Sequence, residues 1–340
     1  MDWSKGFSAS CYITTVDPSS WRDISRIEIT GGTVSRSTDK LKETASVTCV
    51  DYDQTTERWI RIWMDTRQEG AAGHSAIFTG LAVAPDRDIN GRLSTNEVAC
   101  YSVLKPAEDV LLPRGWYAPA GSDGAALAAQ LLSVTPAPIE TADSSPSLAN
   151  NYIAGNGETN LSMALNIIDA IGWRIRIAGD GTIYIGPKPT EPAATFDCTD
   201  NDTVEPQLVT SYDWFACPNV FRVVNGNDSA TAVDDDPDSI FSTVNRGREI
   251  WMEETAKSLN TSETLYEYAR RRLEEEQNVV YSASYDRRFH PNVTVSDLVQ
   301  LHYPEQKIDG LFTVVSQSLD LSTGCRTSEE VEKYGYIPAD

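Results

Sequence analysis

Short runs in which apolar and polar side chains alternate recur along this chain, and residues that favour turns punctuate them. A period of two is the mark of a strand with one face on a core, so much of the chain must bury itself as sheet. The runs Ser10-Cys11-Tyr12-Ile13-Thr14, Arg26-Ile27-Glu28-Ile29-Thr30 and Ser46-Val47-Thr48-Cys49-Val50 have this form. Asp17-Pro18-Ser19-Ser20 and Gly31-Gly32 stand between them as expected turns. Trp59-Ile60-Arg61-Ile62-Trp63, the apolar stretch from Ala76 to Val83, and Glu97 to Val103 continue the series. Many short strands at near-regular spacing predict an antiparallel barrel over residues 1–105 rather than βαβ units.

After Pro106 the texture changes. Ser122-Asp123-Gly124 opens a short helix with Leu127 and Leu131 one turn apart. Residues 135–151, rich in Pro, Ser and Asn, read as an exposed connection. Thr159 or Asn160 then caps a helix whose stripe is Leu161, Ala164, Leu165, Ile168 and Ile171, with Gly172 placed to end it. Trp173 to Ile177 and Thr182 to Ile185, joined by Gly179-Asp180-Gly181, predict a hairpin. Residues 106–193 are therefore expected to form a small α+β module closed by the Pro187, Pro189 and Pro192 linker. Residues 194–340 return to β texture, with the strand Val220 to Val224, the acidic loop Asp234-Asp235-Asp236-Pro237-Asp238 and three terminal strands. One helix is expected over 262–277, capped by Asn260 with Glu263 and burying Leu265, Tyr268, Ala269 and Leu273. The predicted fold is mainly β, with two antiparallel β-barrels flanking an α+β insert.

Charge narrows the function. Against 50 Asp and Glu the 340 residues carry 28 Lys and Arg, a formal net charge of −22. A phosphate-gripping surface needs a cation for each phosphate, and this chain is short of them. Hydrophobic residues at 40% and charged ones at 23% place it among folding chains rather than disordered polyanions. No apolar run approaches the ~18 residues that span a bilayer, and the start lacks a basic-then-apolar leader, so a soluble chain not exported by a cleaved signal is expected. Cys11, Cys49, Cys100, Cys198, Cys217 and Cys325 stand singly, which points to free, reduced thiols rather than a zinc site.

No catalytic motif surrounds His74, His290 or His302, and the hydrolase, metalloprotease and phosphate-loop patterns are all missing. So many acids produce close pairs by chance, and no glycosidase pair is assigned. An enzyme is not expected. One metal pattern does match: Asp86, Asp88, Asn90, Ser94 and Glu97 stand where a calcium loop places oxygen ligands. Its flanks alternate like strands instead of helices, and Asn90-Gly91 equally suits the tip of a polar hairpin. Trp59 and Trp63 share one side of a strand and read as packing; Arg270-Arg271-Arg272 has glutamates within helical reach, and Arg287-Arg288 forms a second basic pair.

The carboxy-terminal run carries a resemblance. Tyr285 to Leu301, containing Pro291-Asn292-Val293-Thr294-Val295-Ser296-Asp297-Leu298-Val299, leads into Asp309-Gly310-Leu311-Phe312-Thr313-Val314-Val315-Ser316-Gln317-Ser318. These phrases resemble the end of phage tail and baseplate hub proteins of the late control protein D and T4 baseplate-hub type. Ser296 stands where that family commonly has glycine. Ile77-Phe78-Thr79-Gly80-Leu81 looks like the family's F-x-G strand, and Ala164 to Ile177 like its helix-to-strand unit between barrels.

The resemblance implies a homotrimer in which two similar barrels per subunit make a pseudo-sixfold ring. Such a ring joins a sixfold tail tube or distal tail protein to a threefold spike or fibre, in contact with the tape measure protein. It implies a virion component assembled in the host cytoplasm, with no cofactor and no membrane insertion of its own. DNA would pass through the lumen without specific binding, which agrees with an acid surplus that repels phosphates. The competing expectation is a calcium-dependent carbohydrate- or surface-binding β protein using Asp86 to Glu97.

Overall fold

A computed structural model describes residues 1–3, 5–50, 56–84, 87–90, 93–197, 204–212, 214–225, 228–255, 264–277, 280–303 and 308–334. The fold is mainly β with a small helical part. The first strands are β1 (Ser8–Val16), β2 (Asp23–Ser37), β3 (Glu43–Val50), β4 (Arg58–Gln68), β5 (Ala71–Ala82), β6 (Arg87–Asn90) and β7 (Leu93–Ser102). They pair in the order β1-β4-β5-β7-β3-β2, and β1 also pairs antiparallel with β2, which closes a six-stranded barrel. Strand β6 lies off this path as a hairpin arm on β7. Ile13, Val34, Val47, Ile60, Ile62, Met64, Phe78 and Val98 fill the barrel and are fully buried. Each such side chain contributes roughly 1.5–3 kcal/mol of transfer free energy, so alternation along the strands becomes a core.

Gly31-Gly32 is not a turn. Both glycines lie inside β2, where the register with β3 shifts between Ile29 and Gly31. Gly32 has φ +150°, and a Cβ there would lie 2.3 Å from the Ser46 carbonyl oxygen. The pair bends a 15-residue strand without ending it.

The next elements are α1 (Lys105–Asp109), β8 (Tyr117–Ala118), α2 (Gly124–Leu132), β9 (Ile139–Thr141), β10 (Tyr152–Ile153), α3 (Asn160–Ala170), β11 (Trp173–Ile177) and β12 (Ile183–Pro187). Asp123 caps α2 by accepting from Ala126 N, and Thr159 caps α3 in a reciprocal box with Ser162. Gly172, at φ +70°, follows α3 in the left-handed conformation that suits glycine. Helices α2 and α3 pack on Ile175, Ile177, Ile183 and Ile185 of the hairpin. The segment 135–151, expected to be an exposed connection, is mostly exposed, yet it also supplies β9, which joins β12 in parallel, and it buries Thr135, Ala137 and Leu148.

The remaining elements are β13 (Pro192–Asp197), β14 (Val204–Tyr212), β15 (Val220–Asn225), β16 (Asp228–Val233), α4 (Thr243–Arg246), β17 (Trp251–Thr255), α5 (Leu265–Glu276), β18 (Val280–Arg288), β19 (Leu298–Tyr303), β20 (Ile308–Asp320) and β21 (Arg326–Tyr334). Six of them form a second set in the order β13-β19-β20-β21-β18-β14. The two sets share one ladder: Thr33 to Ser37 of β2, beyond the part that pairs with β1, run antiparallel to Ser316 to Asp320 of β20.

By compactness the chain forms two units. Met1–Leu208 with Ser284–Val331 makes the larger one, and the smaller is built on Val209–Ala283. In the smaller unit the sheet β16-β15-β17 packs against α5 through Phe221, Val223, Ala232, Tyr268, Ala269 and Leu273. The cap of α5 differs from the expected one. Thr264 and Glu267 make the capping box, so the helix starts at Leu265, while Asn260 and Glu263 lie outside the described residues.

Candidate functional site

The carboxy-terminal phrase folds into a tie between the α+β module and β19. Arg174 of β11 donates from Nη1 to Asp297 Oδ1 at 2.8 Å and to the Ser296 carbonyl at 2.6 Å. Asp297 also accepts from Thr294 N at 2.9 Å. Ser296 has φ +68°, in the left-handed region where a Cβ is unfavourable. The resemblance expects glycine at this position, and the backbone supplies the reason.

A second tie docks the β11–β12 turn on the barrel. Thr79 donates to the Gly179 carbonyl at 2.7 Å, and Trp21 Nε1 and Arg61 Nη2 both donate to the Asp180 carbonyl. A Cβ on Gly179 would fall 1.9 Å from the Ala76 carbonyl oxygen, so only glycine permits this approach. Trp59 packs beside Trp21, with ring centroids 5.5 Å apart, and belongs to the same contact.

Behind these ties runs a chain of buried polar groups. Arg287 Nη2 meets Glu329 Oε2 at 2.5 Å with both side chains out of solvent, and Tyr285 and Gln317 also donate to Glu329. Burial opposes the charge on Glu329, but Arg287 and the two donors outweigh it and hold the carboxyl below its ordinary range. Arg36 reaches Gln317 at 3.4 Å from one side and lies 3.7 Å from Glu43 Oε2 on the other. That last separation is too long for a hydrogen bond. Arg36 Nε and Glu43 Oε1 have no hydrogen-bond partner among the described residues, and burial pushes the Glu43 carboxyl up to about 8. The adjacent pair Arg287-Arg288 is therefore not a basic surface cluster. The pleat turns Arg287 inward, between Tyr285 and Phe289 on the buried face.

On the face of β11-β12-β9 opposite the helices lies a groove of about 380 Å³, lined by Arg174, Arg176, Tyr184, Glu140 and Gly186 among others. Arg176 and Glu140 stand opposite Tyr184 on its two flanking strands, so the ring separates them. The Arg176 guanidinium lies 6.0 Å from the Tyr184 ring centroid and makes no hydrogen bond or ion pair with any described residue.

Other predicted residues fall apart from these features. Asp86 lies outside the described residues. Asp88 and Asn90 are on β6, opposite Thr95 and Leu93 of β7, and Ser94 is opposite Ile89. These pairs form a hairpin ladder, and Gly91 lies outside the described residues. Glu97 accepts from Ser46 Oγ at 2.8 Å. His74 stacks on Trp63 at 4.3 Å and shares a hydrogen bond with Asp65, His302 lies 3.6 Å from Asp309, and His290 is half-buried, with burial and then Arg287 lowering its pKa. The three histidines thus serve separate contacts. Arg270, Arg271 and Arg272 are held within α5 by Glu274, Glu275 and Glu276, as intrahelical pairing predicts, and Arg272 also pairs with Glu254 of β17. Cys11, Cys49, Cys100 and Cys325 are free thiols, and burial pushes Cys49 up to about 11 and Cys100 to about 12; Cys217 is buried, and Cys198 lies outside the described residues.

No protein-family model and no curated protein matches the chain. Solved structures do. The tail protein from Neisseria meningitidis MC58 superposes with a TM-score of 0.70 at 13% identity, over 96% of this chain and 97% of that one. The 43 kDa tail protein of prophage MuSo2 from Shewanella oneidensis gives 0.67 at 12% identity, over 95% and 98%. A half-lidded Francisella PdpA-VgrG complex gives 0.59 at 8% identity, over 98% of this chain and 59% of that one. The chain has the fold of phage tail proteins over nearly its whole length.

Proposed function

We propose that this chain is a non-enzymatic structural hub subunit of a phage tail or contractile injection particle, and that three copies form a ring. The observation that carries the reading is the pair of six-stranded sets on one chain, β1-β4-β5-β7-β3-β2 and β13-β19-β20-β21-β18-β14. Two comparable sets per subunit give six places around an axis from three copies. Such a ring matches a sixfold tail tube or distal tail protein on one side and a threefold spike or fibre on the other, with the tape measure protein as a further partner. The tail proteins with the same fold support placement in a virion tail, and assembly in the host cytoplasm belongs to the same proposal.

The charge supports a conduit. Carboxylates facing a lumen repel phosphates, so DNA passes without being held. With 22 more acids than bases the chain has the composition for this. Sedimentation of the purified chain, alone and with its tail-tube partner, tests the reading, and a reconstruction of the particle counts copies around the axis. Three copies enclosing a channel are expected. A chain that stays monomeric with and without the partner overturns the proposal.

A further inference from the structure

Arg176 makes no hydrogen bond or ion pair with a carboxylate among the described residues, and it lies in a groove of about 380 Å³ beside Tyr184. Two positions along the same strand is Arg174, whose bonds to Asp297 and Ser296 are both made by Nη1 alone. A guanidinium has five N–H donors, so the groove presents unspent donors on two residues of one strand face, about 7 Å apart. Glu140 also lines the groove, beyond the Tyr184 ring, and limits the space open to an anion to the Arg176 side.

The complementary feature is the acidic loop of the smaller unit. Asp234, Asp236 and Pro237 shape it: Asp234 Oδ2 accepts from Ser239 Oγ at 2.6 Å and Gln277 Nε2 at 2.8 Å, and Asp236 Oδ1 accepts from Asp238 N at 2.9 Å. Asp235 and Asp238 are exposed, and their carboxylates make no hydrogen bond or ion pair with any described residue. Three residues of chain span at most about 10 Å, which brackets the spacing of the two arginines. Internal bonds hold the loop in shape before it meets anything, so little ordering entropy opposes docking.

We infer that the Arg174–Arg176 groove receives the Asp235–Asp238 loop of a second copy of this chain. The inference rests on the ring reading and names one contact that closes the ring. The groove and the loop are different surfaces of one chain, so the contact is head-to-tail, the kind that generates a ring when its rotation closes. Fork-shaped guanidinium donors match carboxylates in geometry as well as charge.

Sedimentation of the full chain at two ionic strengths is the test, with R176E, the exposed-loop double variant D235R/D238R, and all three changes combined. Each set alone is expected to weaken association at least about tenfold, and the combination to recover most of it, because the reversed charges meet again. Higher salt should weaken the wild-type contact. If the wild type assembles and D235R/D238R assembles equally well, the groove inference falls while the ring stands; this arm does not depend on whether R176E folds. Charge reversal that alters stability but not the number of copies places the contact within one chain and also overturns it. If the wild type never associates, with or without its tail-tube partner, the ring reading fails and takes the inference with it.

Discussion

Arg174 of β11 and Asp297, at the start of β19, are 123 positions apart in the chain and 2.8 Å apart in space. Asp297 is 5% exposed, and its carboxyl group accepts from this partner and from Thr294 N. Removing one member of a buried pair strands the other, which costs about 3–5 kcal/mol in enclosed sites. Arg174→Ala should cost on the order of 2–4 kcal/mol, at the low side because Thr294 N remains. Urea unfolding measures it, and a change within about 0.5 kcal/mol would show that the tie contributes nothing.

Ser296 predicts a stabilising substitution. A non-glycine residue in the left-handed region costs roughly 1–2 kcal/mol, and glycine removes that cost while loosening the unfolded chain by part of it. Ser296→Gly should gain up to about 1 kcal/mol, seen as a higher melting temperature, and Ser296→Val should lose at least as much. A lower melting temperature for the glycine variant would contradict the backbone argument.

Glu43 predicts a pH dependence. Its carboxyl titrates near 8 in the folded chain against an ordinary 4.5, because burial outweighs Arg36 at 3.7 Å. The folded state therefore holds the proton that the unfolded state releases. Stability from this group is full below pH ~4.5, falls as pH rises through the window to ~8 at up to ~1.4 kcal/mol per unit, and is flat above it. Glu43→Gln should flatten that slope. Parallel pH profiles for the two proteins would exclude a neutral Glu43.

Gly179 predicts a large penalty from one methyl group. Its Cβ would collide with the backbone at Ala76, which cannot swing aside as a side chain can. Gly179→Ala should cost about 2–3 kcal/mol, in the upper range of overpacking, and hydrogen exchange should accelerate in the β11–β12 turn. Unchanged exchange there would mean that the turn does not dock through this approach.

Calcium removal gives a fifth outcome. The backbone of β6 and β7 is engaged in a hairpin ladder, with Asp88 opposite Thr95 and Asn90 opposite Leu93. A ladder needs no ion to hold it. Chelation should leave the melting temperature within about 1 °C, whereas a drop of the ~4 °C or more that follows from 1 kcal/mol in a small domain would assign a resident cation to the segment.

Much of this arrangement was legible in the residues. Alternation marked β1, β4 and β7 because one side of each strand faces a single core. The start of α2 after Ser122-Asp123 and a cap for α3 at Thr159 or Asn160 were readable because the signal is local, and the structure gives the second cap to Thr159. The losses came where distant partners decide. Gly31-Gly32 has turn composition, yet β3 holds both residues in a strand. Thr264 with Glu267 and Asn260 with Glu263 have the same spacing, and nothing local chooses between them. The three residues of β9 carry no period long enough to detect, and their pairing with β12 is set by the fold. Arg287 and Arg288 look alike in sequence, and only Glu329, more than forty positions on, shows which one is inside.

Strand β2 hands its edge from β1 to β20 partway along its length, and the five rungs from Thr33–Asp320 to Ser37–Ser316 weld the two six-stranded sets. A load that slides one set along the other pulls on all five rungs at once, because the hydrogen bonds lie across the strands. A load that peels the sets apart meets the rungs one after another. The weld therefore resists thrust along β2 far better than it resists prying.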